Sequence, residues 1–169
     1  MSGMNLLKMI IFTMMGMGGT ALAEDSLRFS KNIDVNEGPV YFDLQSGSTI
    51  DSATGRWDVI FYKTGIRLHP DVSAQLVKNT TFDQLRQAPA KGYRKDGHKG
   101  PAIPTGSGKA WYNYDLIDHY VQPIPGRLLL LRTAGGMIAK LEFLTYYRDD
   151  DIEYPGYITF RYQFIPAVK

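Results

Sequence analysis

Cysteine is absent from all 169 residues, which excludes disulfide scaffolds, thiolate zinc centres, thiol nucleophiles and iron–sulfur ligation together. Imidazole is scarce: His69, His98 and His119 are the whole supply, so soft-metal or general-base chemistry has few places to sit. Six of the seven methionines precede Ala23, leaving Met137 as the one later thioether. Charge of one sign is also lacking. Nineteen Lys and Arg against 17 Asp and Glu leave a formal charge of +2, too little to gather a phosphate backbone, and nucleic acid is not an expected partner. The length fits one globular domain, without a repeat or heptad pattern.

Residues 1–23 read as a targeting segment. One cation, Lys8, precedes an apolar run from Met9 to Met17, and Ala21-Leu22-Ala23 supplies the small-x-small pattern of a cleavable secretory signal. The run falls short of the ~20 apolar residues that span a bilayer, so no membrane span is expected after cleavage. Residues 24–169 are then one mature domain, periplasmic or secreted, and not lipidated because no thiol is available to carry the lipid.

Beyond Glu24 the apolar positions recur with period two, the spacing of strands. Ile158, Phe160, Tyr162 and Phe164 share one face of a C-terminal strand, with Thr159, Arg161 and Gln163 on the other. Val40–Leu44 and Trp57–Tyr62 have the same β-branched and aromatic character. Leu128–Leu131 is apolar on both faces, as a central strand requires, and Ala134-Gly135-Gly136 predicts a hairpin returning from Met137 to Tyr147. Helix is expected only at Thr81–Gln87, which Thr81 caps and Pro89 ends, while Val72–Lys78 fits either state. Ala88–Ala110, rich in Gly, Pro and Lys, reads as a long functional or mobile loop.

Four blocks in order resemble the HmuY family of bacterial haem-binding proteins. They are Val40-Tyr41-Phe42 with Trp57–Phe61; Gly108-Lys109-Ala110-Trp111-Tyr112-Asn113-Tyr114; Leu131-Arg132-Thr133-Ala134-Gly135-Gly136 through Leu141; and Tyr146-Tyr147 with Tyr157–Tyr162. The resemblance implies an all-β, antiparallel sandwich-like fold with one short helix, and haem (iron protoporphyrin IX) held between loops at one end of the sheets. It implies a hemophore-like protein of a Gram-negative bacterium, without catalytic turnover, that captures haem and passes it to a TonB-dependent outer-membrane receptor. The family's members hold iron with two axial side chains, histidines in some and methionines in others.

On that resemblance His119, ahead of Pro123 at a strand end or turn, is the first candidate iron ligand, and His98, between Gly97 and Gly100, is the second. His69, before Pro70, is a reserve ligand better read as a turn residue, and Met137 is better read as edge packing or as exposed. Arg94, Lys95, Lys99 and Lys109 are candidate partners for the haem propionates, and Tyr93, Tyr112, Tyr114 and Tyr120 candidate walls for the macrocycle, some of them necessarily core. Two other groupings carry less. Asp149-Asp150-Asp151 with Glu153 lacks the alternate-residue spacing of a calcium loop and reads as a solvated turn. Asp118-His119 places adjacent side chains on opposite faces with no nucleophile elbow nearby, so an enzyme is not expected. The rival reading is a secreted or periplasmic β-sandwich interaction module that does not bind haem.

Overall fold

The computed structural model describes residues 26–168, so the proposed signal segment lies outside the described residues. Eleven strands follow in chain order: β1 (Arg28–Asp34), β2 (Val40–Asp43), β3 (Ser48–Ile50), β4 (Val59–Tyr62), β5 (Gly65–Leu68), β6 (Ser73–Lys78), β7 (Tyr112–Asp115), β8 (Tyr120–Pro123), β9 (Arg127–Arg132), β10 (Ile138–Tyr147) and β11 (Pro155–Ile165). They form a five-stranded sheet in the order β1-β11-β10-β9-β6, a four-stranded sheet in the order β3-β2-β4-β5, and the separate hairpin β7-β8. All pairings between these strands are antiparallel.

Period-two patterning explains how the two sheets meet. Phe42 and Phe61 from the smaller sheet pack on Phe160 of the larger, each with ring centres 5.3 Å apart, and Phe143 and Tyr162 complete the aromatic centre. Each such ring removes roughly 150–250 Å² from water, which makes this layer the main source of cohesion. β9 is apolar on both sides because both sides are covered: Leu129 and Leu131 face this core, while Leu130 joins a second cluster with Ala88, Ile138 and Ile165. The strand-or-helix ambiguity at Val72–Lys78 resolves to β6, paired residue for residue with β9 from Ser73↔Arg132 to Lys78↔Arg127.

The helix expected at Thr81–Gln87 is one turn. Its signature is real: the Thr81 hydroxyl accepts from Gln84 N at 3.3 Å and the Gln84 side chain accepts from Thr81 N at 3.1 Å, a reciprocal capping box. The turn ends because Ala88 leaves to bridge Ala167, and the buried Lys140 ammonium donates to the carbonyls of Phe82 and Leu85. Among the described residues the helical segments are two 3₁₀ turns, Ser52–Thr54 and Arg148–Asp150. β11 begins through Gly156 at φ 84, where a Cβ would run into the Asn36 side chain.

Candidate functional site

The predicted ligand residues fall in two places, and β7-β8 builds the first. Its strands pair from Tyr112↔Pro123 to Asp115↔Tyr120, leaving Leu116-Ile117-Asp118-His119 as a four-residue loop. Asp115 shapes the loop by accepting from Ile117 N at 2.7 Å and Asp118 N at 3.1 Å. Those two backbone donors, first Asp118 and then Ile117, hold its carboxyl below the ordinary value of 3.8. His119 closes the loop at φ 53, in the left-handed region, with its ring exposed and Nδ1 2.8 Å from the Tyr114 hydroxyl oxygen. Nδ1 is thereby engaged and Nε2 is the ring position left to face outward.

Tyr120 stacks on Tyr147 at 4.9 Å with an interplanar angle of 2°, and Val121 N donates to the Tyr147 hydroxyl, so the hairpin is fixed against the end of β10. Burial first, then the nearby Asp150 carboxylate, raises the Tyr120 phenol above its ordinary value, which places the Arg148–Asp150 turn beside the hairpin. The hydrophobic exposure at this end is unusual for so short a loop: Leu116 is 78% and Ile117 88% exposed, with Ile152 on the turn after β10 at 63%.

The second place is a basic cleft of about 490 Å³ lined by Arg67, Arg94, Lys99 and Lys109 with Pro101, Pro104 and Thr105. Three of the four cations predicted from the long loop therefore do meet, whereas Lys95 turns away and donates to the Pro70 carbonyl. The loop is well anchored. Arg94 exchanges both backbone hydrogen bonds with Ala74 at 2.8 Å, and Gly97 and Gly100 close a tight turn that carries His98 and Lys99 at its tip. Asp96 accepts from Leu68 N at 3.0 Å and Ala102 N at 2.7 Å, pinning the loop to β5. His98 is exposed at the rim beside Lys99.

Among the described residues His98 and His119 share no hydrogen bond or ring contact, and no group of three or more His, Asp or Glu side chains converges as a metal site. His69 is a turn residue, its Nδ1 accepting from Asp71 N and its ring edge-on to Trp57 at 4.7 Å. Met137 is 43% exposed after its turn. Tyr112 offers no face to a ligand: it is buried, its hydroxyl bonded to Thr64, because β7 must seal the core at its base. Tyr93 is covered by the Arg132 guanidinium at 4.0 Å. Asp149 is tied to Asn32 by two hydrogen bonds, as a surface turn rather than a cation loop. Sequence reading passed over Arg67, hidden in an edge strand, and the pairing of Tyr114 with His119; two adjacent aliphatics in a four-residue hairpin loop were the available signal for the exposed tip.

This architecture is an HmuY-like, all-β antiparallel fold. No protein-family model matches the chain, and no curated protein matches it in sequence. Solved structures do match in shape. The apo HmuY analog TFO of Tannerella forsythia superposes with a TM-score of 0.63 at 18% identity, over 85% of this chain and 99% of that one. Apo PinO of Porphyromonas gingivitis gives 0.63 at 13% identity over 85% and 99%. A Bacteroides vulgatus protein described as HmuY-like and heme-binding gives 0.58 at 15% identity over 82% and 91%.

Proposed function

We propose that this chain is a non-catalytic haem-binding protein that holds haem at the β7-β8 tip, with His119 as an axial ligand. The observation that carries the reading is the His119 ring itself. The Tyr114 hydroxyl lies 2.8 Å from Nδ1; in the tautomer that donates Nδ1–H to that oxygen, Nε2 keeps the lone pair an iron would take, the arrangement in which a second partner fixes the direction of a metal-ligating imidazole. Leu116 and Ile117 supply apolar surface for a macrocycle edge, so the residues present fit the group. Bound haem would supply an iron centre that takes the imidazole; Tyr114 would orient that imidazole, and the aliphatics would exclude water from the porphyrin edge.

A leader at residues 1–23 and the HmuY-like fold support a location outside the cytoplasm of a Gram-negative cell and a role in delivering haem to an outer-membrane receptor. Among the described residues no helix is long and apolar enough to cross a membrane. His98 is the second candidate ligand.

The test is titration of hemin into wild-type protein and into His119→Ala and His98→Ala variants, followed at the Soret band. The expected result is a clear loss of affinity and a shifted band for His119→Ala. Equal behaviour of wild type and His119→Ala would refute ligation at the tip, and loss in His98→Ala alone would move the haem to the basic cleft. No Soret response in any variant would leave the tip aliphatics as a protein-docking surface on a sandwich that does not bind haem.

A further inference from the structure

The basic cleft has chemistry that iron ligation does not require. Arg67, Arg94, Lys99 and Lys109 reach it from four separate chain positions, and among the described residues none of the four side chains makes an ion pair or a hydrogen bond. Most surface cations find a carboxylate or stand apart from one another; four that converge without an acid repel each other and hold a standing potential for an anion. The loop's composition sets this up. Between Ala88 and Ala110 there are five Lys and Arg but a single acid, Asp96, whose two oxygens are both engaged by backbone donors. The walls are fixed by the Ala74–Arg94 bridge, the Gly97–Gly100 turn, and the Lys109 carbonyl accepting from Arg127 at 3.3 Å, so the cations are placed before a ligand arrives.

Arg67 and Thr105 also line a second, more apolar hollow of about 340 Å³ over β4 and β5, where Ile60, Tyr62 and Ile66 lie. The two hollows adjoin at Arg67 and Thr105, one lined mainly by cations and the other, apart from Lys63 and Arg67, by less polar residues.

We propose that this surface binds a phosphorylated amphiphile. Two guanidinium forks and two ammonium groups take up a phosphate or diphosphate head, and the ligand's apolar body lies along Ile60 and Tyr62. A single carboxylate carries too little charge to match four cations, whereas phosphate esters carry more charge and three acceptor oxygens per group. The site is separate from the haem tip, and its test does not depend on haem binding.

The experiment uses the mature chain labelled with ¹⁵N and titrated with inorganic phosphate, pyrophosphate and octyl phosphate, with amide shifts mapped and affinities taken by calorimetry. Pyrophosphate is expected to move the amides of Arg67 and of residues 94–109 and to weaken steeply with added salt. Octyl phosphate is expected to bind at least several-fold tighter than inorganic phosphate and to extend the shifts to Ile60 and Tyr62. Lys99→Gln with Lys109→Gln should lower pyrophosphate affinity about tenfold or more, while Arg56→Gln, an exposed cation outside the cleft, should not change it.

Three results would overturn the proposal: no localised shifts with pyrophosphate, equal binding by the double variant, or octyl phosphate binding no better than phosphate. Displacement of pyrophosphate by one equivalent of hemin would also overturn it, because the cations would then serve haem carboxylates. His119→Ala should bind pyrophosphate normally, so failure of the haem reading leaves a different signature from failure here.

Discussion

The hairpin tip and the basic cleft differ in almost every physical respect. The tip presents aliphatics and one oriented imidazole among acids: Asp115 and Asp118 in its own loop, and Asp149, Asp150 and Asp151 on the turn beside it. The cleft presents four cations that have no acid partner among the described residues, and two prolines, with His98 next to Lys99 on the braced loop. A haem needs both kinds of group, an iron ligand and partners for two carboxylates; the cleft's lining does not include His119, and the two regions adjoin where Ser107 Oγ accepts from Tyr114 N. At the tip the proposed iron ligand, His119, is held by Tyr114 but the surrounding carboxylates repel propionates, so haem held there would turn its carboxylates to solvent. In the cleft the carboxylates would be matched, but among the described residues no hydrogen bond orients His98. The contrast gives the two imidazoles opposite roles to test, and it frees the cleft for a ligand of its own.

Disrupting what the two regions share should give the largest effect. Trp111 stacks on Phe143 with ring centres 4.2 Å apart and donates from Nε1 to the Thr64 carbonyl at 3.0 Å, so it ties the base of β7 to the β4-β5 turn. Trp111→Ala should cost about 3–5 kcal/mol in urea unfolding. Amide shifts should move in both the tip and the cleft. If only one region responds, the other is held independently and Trp111 is not their common support.

Next in size are the ligand substitutions. His119→Ala should reduce hemin affinity by more than Tyr114→Phe, which removes only the oxygen that directs the ring and should cost on the order of tenfold. A Tyr114→Phe variant indistinguishable from wild type would show that the 2.8 Å contact does not orient the ligand. Acid should act in the same direction. A proton competes with iron for the imidazole lone pair, so hemin affinity should decline as the solution is acidified. Phosphate binding in the cleft should be indifferent to His119→Ala and respond to acid only through the ligand's own protonation, whose second step lies at about 6.

Much of the scaffold was readable from the sequence because strand burial is a local pattern: alternation in β11, the double-sided apolar run of β9 and the Gly-Gly turn before β10 all stand where their residues predict. The helical stretch expected at Thr81–Gln87 is limited to one turn for a non-local reason. Thr81 and Gln84 do start a turn, but the bridge from Ala88 to Ala167 pulls the chain away, and Lys140, distant in sequence, caps its carbonyls. The candidate site shows the same division. Arg94, Lys99 and Lys109 could be grouped because one loop carries them; Arg67 could not, since its presence in the cleft depends on β5 being an edge strand against that loop. Likewise, the sequence contains no term that decides whether His98 and His119 approach each other. That depends on which way the long loop runs from its anchor on β6.

The smallest effect concerns the shape of the tip alone. Asp115 is fully exposed, yet its carboxylate accepts from Ile117 N and Asp118 N, and these bonds favour the charged form and lower its pKa. A folded value below the unfolded one means that the ordering contribution is complete above the ordinary 3.8 and disappears as pH falls through the lowered value. Protection of the Ile117 and Asp118 amides, taken relative to their intrinsic exchange rates, should therefore fall only in that acid range, while Gly97 and Gly100, whose turn is closed by backbone bonds, should show no such step. Asp115→Asn keeps an acceptor without the titration, so it should abolish the acid step and leave the loop ordered at neutral pH. If the step persists in Asp115→Asn, another carboxylate controls the tip, and the Asp118 side chain becomes the group to replace.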